Sequence, residues 1–277
     1  MMNTLISKDG TIISYEKIGT GPSLILVSSA AADHKDAEQL AVQLANHFTV
    51  YNYDRRGRGQ STDSSKYAVE REVEDIDALI NEAGGNSFLF GSSSGAVLAL
   101  EAANKLGDKV TKLFMYEPPF IIDHSRPRVP ANYVQHLNNL IGEGKRNEAV
   151  EYYMIEALGI PSEYLEYMKA DPSWNSMEGM AHTLAYDGMI MGETQSGKPL
   201  PVDRWKVSIP TAIMVGENSE HYFHDAAKSL VELLPLAKYQ TLSGQDHSAV
   251  VMAPNVLANE MVNFYLNLHQ NPNGLSI

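Results

Sequence analysis

No cysteine occurs anywhere in the 277 residues. Its absence removes disulfides, thiolate metal sites and a cysteine nucleophile together. Basic residues are scarce as well: 21 Lys and Arg stand against 34 Asp and Glu, a net charge of −13. Such a surface repels phosphate backbones and anionic lipid, which argues against nucleic-acid or membrane-surface partners. Nowhere does an apolar run approach the roughly 18 residues that a spanning helix needs. The opening MMNTLISKDGTIISYE has neither the basic start nor the apolar stretch of a secretory signal. What is present is ordinary for a globular chain, with 44% hydrophobic and 20% charged residues, enough for a sizeable core. The expectation is a cytoplasmic protein acting on a small molecule, with self-association into a homodimer left open.

Short apolar, β-branched runs alternate with helical patterns, as in a mostly parallel sheet with crossover helices. Thr4–Ser7 and Thr11–Ile18 flank Asp9-Gly10 as a hairpin would, and Leu24–Val27 is wholly apolar, like a strand covered on both faces. Helical periodicity marks residues 36–47, 69–83 and 96–106, and strands are expected at Thr49–Tyr53, Phe88–Phe90 and Val110–Tyr116. At Pro118-Pro119 the rhythm breaks. Residues 118–206 carry helix-like stretches without a convincing strand, and the alternation returns with Thr211–Val215, Asp225–Leu234, Ala237–Leu242 and Asn255–Asn267. The chain therefore divides into a sheet-forming unit, 1–117 with 207–277, and an all-helical insertion at 118–206. Only the terminal NPNGLSI reads as frayed.

The strongest local signal is Gly91-Ser92-Ser93-Ser94-Gly95, set directly between the strand FLF and the helical run AVLALEAANKL. A tight strand-to-helix turn brings the positions two before and two after its apex against neighbouring backbone, so both must lack side chains. Of the three serines only Ser93 has glycine at both. It would stand over a helix amino terminus, whose free N–H groups suit a developing oxyanion. A serine alcohol at neutral pH needs a base, nearly always histidine. His247, in the loop after the last strand, falls at the same sheet edge. His221 and His224 have metal-like spacing without a third ligand, and read as a solvated helix start. Gly57-Arg58-Gly59-Gln60-Ser61-Thr62 imitates a dinucleotide fingerprint, but Thr62 stands where a small residue belongs and no helix opens at once. No cofactor and no metal is therefore implied.

Several stretches carry a family likeness: DGTIISYEKIGTGPSLILV near the start, Tyr53-Asp54-Arg55-Arg56-Gly57-Arg58-Gly59-Gln60-Ser61, the serine elbow, and Gly244-Gln245-Asp246-His247. On these the chain resembles an α/β-hydrolase with a helical cap, across residues 5–118 and 205–268. The resemblance implies an eight-stranded type of sheet, mostly parallel and flanked by helices, with 118–206 as the cap. It also implies serine hydrolase chemistry with no cofactor. Two features depart from the common pattern. Many members carry His-Gly after the third strand, where Ser28-Ser29-Ala30 stands here, so the oxyanion hole is assigned to Ser94 with Ala30 or Ser29. The acid usually lies after the strand Thr211–Val215, where this chain has Ser219. Some members, certain dehalogenases and resorcylic-lactone hydrolases among them, place it after the strand that follows the elbow helix. That position is Glu117, a lone charge at the tip of an apolar strand before two prolines. Glu220 and Glu217 are the fallback acids, and Asp246 adjoins the histidine but points away from its ring.

Within the insertion, Trp174, Met177, Met180 and Leu184 recur at helical spacing. The stripe reads as core packing; in a cap it also reads as the wall of an acyl or ring pocket. The substrate pocket is accordingly assigned to Trp174, Met177 and Met180, with His182 reaching the site from the same insertion. Arg55, Arg56 and Arg58 are expected to pair with acidic surface groups. The function expected is hydrolysis of a small uncharged ester or lactone through an acyl-enzyme on Ser93. Rival readings are carbon–carbon bond hydrolysis, peroxide-dependent chemistry on the same residues, and a weakly catalytic ligand sensor.

Overall fold

The structure, a computed structural model, describes residues 2–267, so the terminal NPNGLSI lies outside the described residues. Eight strands form one sheet: β1 (Asn3–Ile6), β2 (Ile12–Ile18), β3 (Ser23–Val27), β4 (Thr49–Tyr53), β5 (Ser87–Ser92), β6 (Val110–Tyr116), β7 (Thr211–Gly216) and β8 (Ala237–Leu242). Their spatial order is β1-β2-β4-β3-β5-β6-β7-β8. The pairs β1–β2 and β2–β4 are antiparallel, and every other pair is parallel. From β3 the chain first steps outward to β4, then returns across β3 to β5. This reversal opens a crevice at the carboxyl ends of β3 and β5, the place where open α/β sheets bind ligands.

Helices cover both faces. α1 (Glu38–Leu44) lies on one; α2 (Val69–Glu82) and α3 (Ser94–Leu106) lie on the other. Beyond β6 come the insertion helices α4 (Tyr133–Gly142), α5 (Arg146–Tyr152), α6 (Leu165–Lys169), α7 (Ser173–Met180) and α8 (Leu184–Met191). Then α9 (His221–Leu233) joins the face of α2 and α3, while α10 (Ala249–Met252) and α11 (Pro254–Tyr265) join that of α1. Each face has its own core, for instance Val73, Ile76 and Leu100 against Leu89, and Leu40, Leu44 and Leu257 against Phe90. Residues 94–103 of α3 are buried around the whole helix, because the sheet lies below and α2 and α8 pack from the sides. No helix among the described residues is long and apolar enough to cross a membrane.

The insertion builds a third core of its own. Trp174, Leu137, Val150, Leu165 and Leu184 are buried together, with Met177 packed against them. The Trp174 indole N–H donates to Asn147 Oδ1 at 3.0 Å, so this large ring is both buried and satisfied. Of the two readings of the stripe, packing is the one the side chains take. Trp174→Ala should lower stability by about 3–5 kcal/mol, the usual cost of deleting a buried indole, and leave selectivity among acyl groups unchanged. Denaturant unfolding beside a substrate panel checks both halves.

Candidate active site

The elbow is built as its glycines require. A Cβ on Gly91 would sit 2.6 Å from Ala96 Cα, and one on Gly95 would sit 2.5 Å from the Val27 carbonyl oxygen. Any side chain there must displace backbone, which the packed sheet resists. Ser93 itself adopts φ 53°, ψ −127°, a conformation L-residues avoid. It is held there by its N–H, which donates to Tyr116 O at 2.9 Å. Four non-glycine residues among those described have positive φ, and three of them, Ala31, Ser93 and Glu117, cluster at this sheet edge. Strain of this kind persists only where the surroundings over-determine it, and it concentrates at functional sites.

Glu117 follows β6 directly, and its side chain has no exposure to water. Its backbone N–H donates to Met214 O at 3.0 Å, which turns the side chain across the end of β7. There Oε2 lies 2.5 Å from His247 Nδ1, while Oε1 accepts from the Gly216 N–H at 2.7 Å and from the Ser219 hydroxyl at 2.5 Å. Ser219 thus fills the position where the common pattern puts the acid, and it serves instead as a donor to the acid next door. The His247 ring stacks on Phe223 at 4.8 Å, and the Tyr116 hydroxyl pins the Asp246 carbonyl just before it. Ser93 and His247 line the same cavities, but no Ser93–His247 hydrogen bond is formed. Contacts of this type commonly tighten only around a bound substrate.

The fallback acids are engaged elsewhere or point elsewhere. Glu217 Oε2 accepts from Ser243 Oγ and the Gly244 N–H, and Asp246 Oδ1 accepts from Ser248. Glu220 lines the cavity from an exposed position without reaching His247.

The three arginines correct an expectation. They do pair with acids, but in the interior. Arg56 binds Asp75 through two hydrogen bonds and also Asp9; Arg55 binds Glu72 through two and Asp187 through one; Arg58 binds Asp187 at 2.6 Å. All three guanidiniums are about 1% exposed or less, since α2 and α8 close over the loop that carries them. Burial pushes the Asp187 carboxyl up, but Arg55 and Arg58 more than offset it and hold it below the usual carboxylate range. Asp187 also accepts from Ser94 Oγ at 2.8 Å.

Two cavities meet at Ser93, Ala30 and His247. One, about 190 Å³, is walled by residues 26–32 with Phe90, Val250 and Val251, and includes Ser29; the other, about 240 Å³, runs under the insertion and includes Ser94. The second is lined by Tyr133, Tyr153, Leu158, Ile160, Met191, Tyr222 and Phe223. Trp174, Met177, Met180 and His182 line neither. The first three face the insertion's own core or are buried away from the cavities. His182 Nδ1 meets Arg146 at 3.0 Å and its Nε2 approaches Asp63 at 3.6 Å. Periodicity showed a buried face without showing which neighbour would cover it. Asp187 is absent from the sequence reading, although it carries a signal there: it is the one charge in the apolar run LAYDGMIM.

One group of described side chains has a metal-like arrangement, Asp33, His34 and Asp54. Both Asp54 oxygens are already committed, Oδ1 to the His34 N–H and ring and Oδ2 to the Gln60 N–H, as a brace for its loop. His224, of the spaced pair considered above, bonds the Tyr239 hydroxyl at 2.7 Å.

Residues 24–260 match the alpha/beta hydrolase family. An alpha/beta hydrolase from Sphaerobacter thermophilus is 44% identical, with a TM-score of 0.87 over 95% of this chain and all of the other. A thermophilic esterase from Thermogutta terrifontis shares 20% identity, which speaks to fold alone, with a TM-score of 0.72 over 98% of this chain and 100% of that one. The uncharacterized hydrolase YraK of Bacillus subtilis is 32% identical over 120 residues, 42% of this chain and less than half, 44%, of that relative. Gly95→Ala should prevent the elbow from closing: thermal unfolding should show a loss of several kcal/mol or no folded protein, because the new methyl meets backbone that cannot move aside.

Proposed function

This chain belongs to the alpha/beta hydrolase family, and we propose that it cleaves a small, uncharged carboxylic ester or lactone through an acyl-enzyme. Ser93 is the nucleophile, His247 the base and acid, and Glu117 the buried carboxylate that holds the imidazole. The observation that carries this reading is the 2.5 Å Glu117–His247 contact, made by a carboxylate sealed from water to a histidine that shares its cavities with Ser93. With Nδ1 occupied by Glu117, Nε2 is the nitrogen left to take the serine proton.

Ser93 Oγ attacks the carbonyl carbon as His247 takes its proton. The oxyanion is received by the N–H of Ser94, at the start of α3, and by that of Ala30 or Ser29. Collapse expels the alkoxide, which takes the proton back from His247. A water then gives its proton to His247 and cleaves the acyl-enzyme, which restores Ser93. The two cavities on either side of Ser93 accommodate the two halves of an ester, or a lactone ring in one of them. Neither is lined by Lys or Arg; the wall of the larger is mostly aromatic and aliphatic, and its charged members, Asp187 and Glu220, are carboxylates, which disfavours an anionic substrate and suits an uncharged, partly apolar one.

A panel of p-nitrophenyl esters and lactones tests the reaction. Ser93→Ala should abolish turnover. Glu117→Gln should keep fold and substrate affinity but slow acylation by on the order of 10⁴-fold, since the histidine loses its tautomer and its charge partner. A silent Glu117→Gln beside a severe Glu220→Gln would move the acid to Glu220. Turnover that survives loss of Ser93, or cleavage confined to β-diketone or peroxide substrates, would refute the ester reading.

A further inference from the structure

The loop after β3 has no glycine to set its course, and Ala31 holds φ 52°. Its carbonyls are instead gripped by buried cations. Arg55 Nη1 donates to Ser28 O at 3.2 Å, and Arg58 Nη1 donates to both Ser29 O and Ala32 O. In a trans peptide the C=O of one residue and the N–H of the next lie in one plane and point opposite ways. No peptide among the described residues is cis. Fixing Ser28 O therefore aims the Ser29 N–H, and fixing Ser29 O aims the Ala30 N–H, away from the arginines.

Arg58 is itself fixed from the insertion, and Arg55 from the insertion and from Glu72 on α2. Asp187 on α8 takes Arg55 and Ser94 Oγ on one oxygen and Arg58 on the other. Thr183, just before α8, accepts from Arg58 Nε at 3.1 Å. One buried carboxylate thus reaches, directly or through one arginine, Ser94 and the two peptides that carry the Ser29 and Ala30 N–H groups. Nothing in the proton relay of His247 and Glu117 requires it.

We infer that Asp187 is a positioning residue: by holding Arg55, Arg58 and Ser94 together it aims the N–H groups of the oxyanion hole, and so ties their geometry to the seating of the cap. The inference rests on the ester-hydrolase reading above. It also has a competitor with the opposite sign. If Asp187 acted only through its charge, removing it would leave uncompensated positive charge beside the developing oxyanion and would speed the reaction.

The test is Asp187→Asn in the full chain. Its kcat on a p-nitrophenyl ester should fall on the order of 10²-fold, as when one oxyanion donor is lost, while KM moves by less than about threefold. Affinity for a trifluoromethyl ketone, which forms a hemiketal oxyanion on serine, should fall in parallel with kcat. Affinity for the matching unreactive methyl ketone should not. Ser94→Ala keeps its N–H and both arginine pairs, removes only the tie from Asp187 to the elbow, and should lose roughly tenfold in kcat; should Asp187→Asn not fold, an unchanged kcat in Ser94→Ala would overturn the inference. Unchanged or faster turnover in a folded Asp187→Asn variant, or equal losses for the two ketones, would overturn the inference. Wild-type protein that turns over no ester and binds no trifluoromethyl ketone would instead remove the ester reading, and this inference with it.

Discussion

A carboxylate sealed from water must find donors, because an unpaired buried charge costs several kcal/mol. Glu117 sits at the tip of a central strand with no exposure, and it is met by the Gly216 N–H, the Ser219 hydroxyl and the His247 ring. Two come from the end of β7 and the turn behind it, and the third from the loop after β8. The strand β7 must lie beside β6, its following turn must fold back, and the loop after β8 must cross over both. The sheet order β6-β7-β8 provides this arrangement, and the Tyr116 hydroxyl on the Asp246 carbonyl holds the histidine loop in it. Satisfying one charge thus orders three loops at one edge.

A second buried charge system acts on the other side of Ser93. Arg55, Arg58, Glu72 and Asp187 form two cations and two anions with no net charge, spread over the loop after β4, α2 and α8. Such clusters are weak evidence for stability, since apolar replacements of similar volume are often as stable. Their geometry is specific, however: forked guanidiniums bind carboxylates and carbonyls only in fixed orientations. The positive-φ residues Ala31, Ser93 and Glu117 lie among these two systems, where neighbouring hydrogen bonds hold backbone that would otherwise relax.

Much of this was legible in the residues. Wholly apolar runs gave the inner strands, and the close approach at Gly91 and Gly95 singled out Ser93 from three adjacent serines. Glu117 could be picked out because a charge at the end of the apolar run Leu113-Phe114-Met115-Tyr116, before two prolines, needs a reason. The helix expected to begin near Asp225 starts at His221, because Glu220 is extended and the turn closes at once behind it. Other features were illegible for a physical reason. The spacing of Trp174, Met177 and Met180 fixes that one helix face is covered, and only the packing of α5 against α7 says by what. Arginine sequence spacing carries no information about which acids will close over it, so Arg55 and Arg58 read as surface groups until α8 brought Asp187. Ser219 looked like a missing acid, and its hydroxyl becomes meaningful only once Glu117 lies 2.5 Å away.

The proposed reaction passes through a covalent bond to Ser93. Mixing the protein with an activated p-nitrophenyl ester, quenching in acid before one turnover and mapping the peptides by mass spectrometry tests it directly. One acyl adduct is expected, on Ser93, formed as fast as the first equivalent of p-nitrophenol is released. Release of p-nitrophenol with no adduct, or with the acyl group on another side chain, would contradict it.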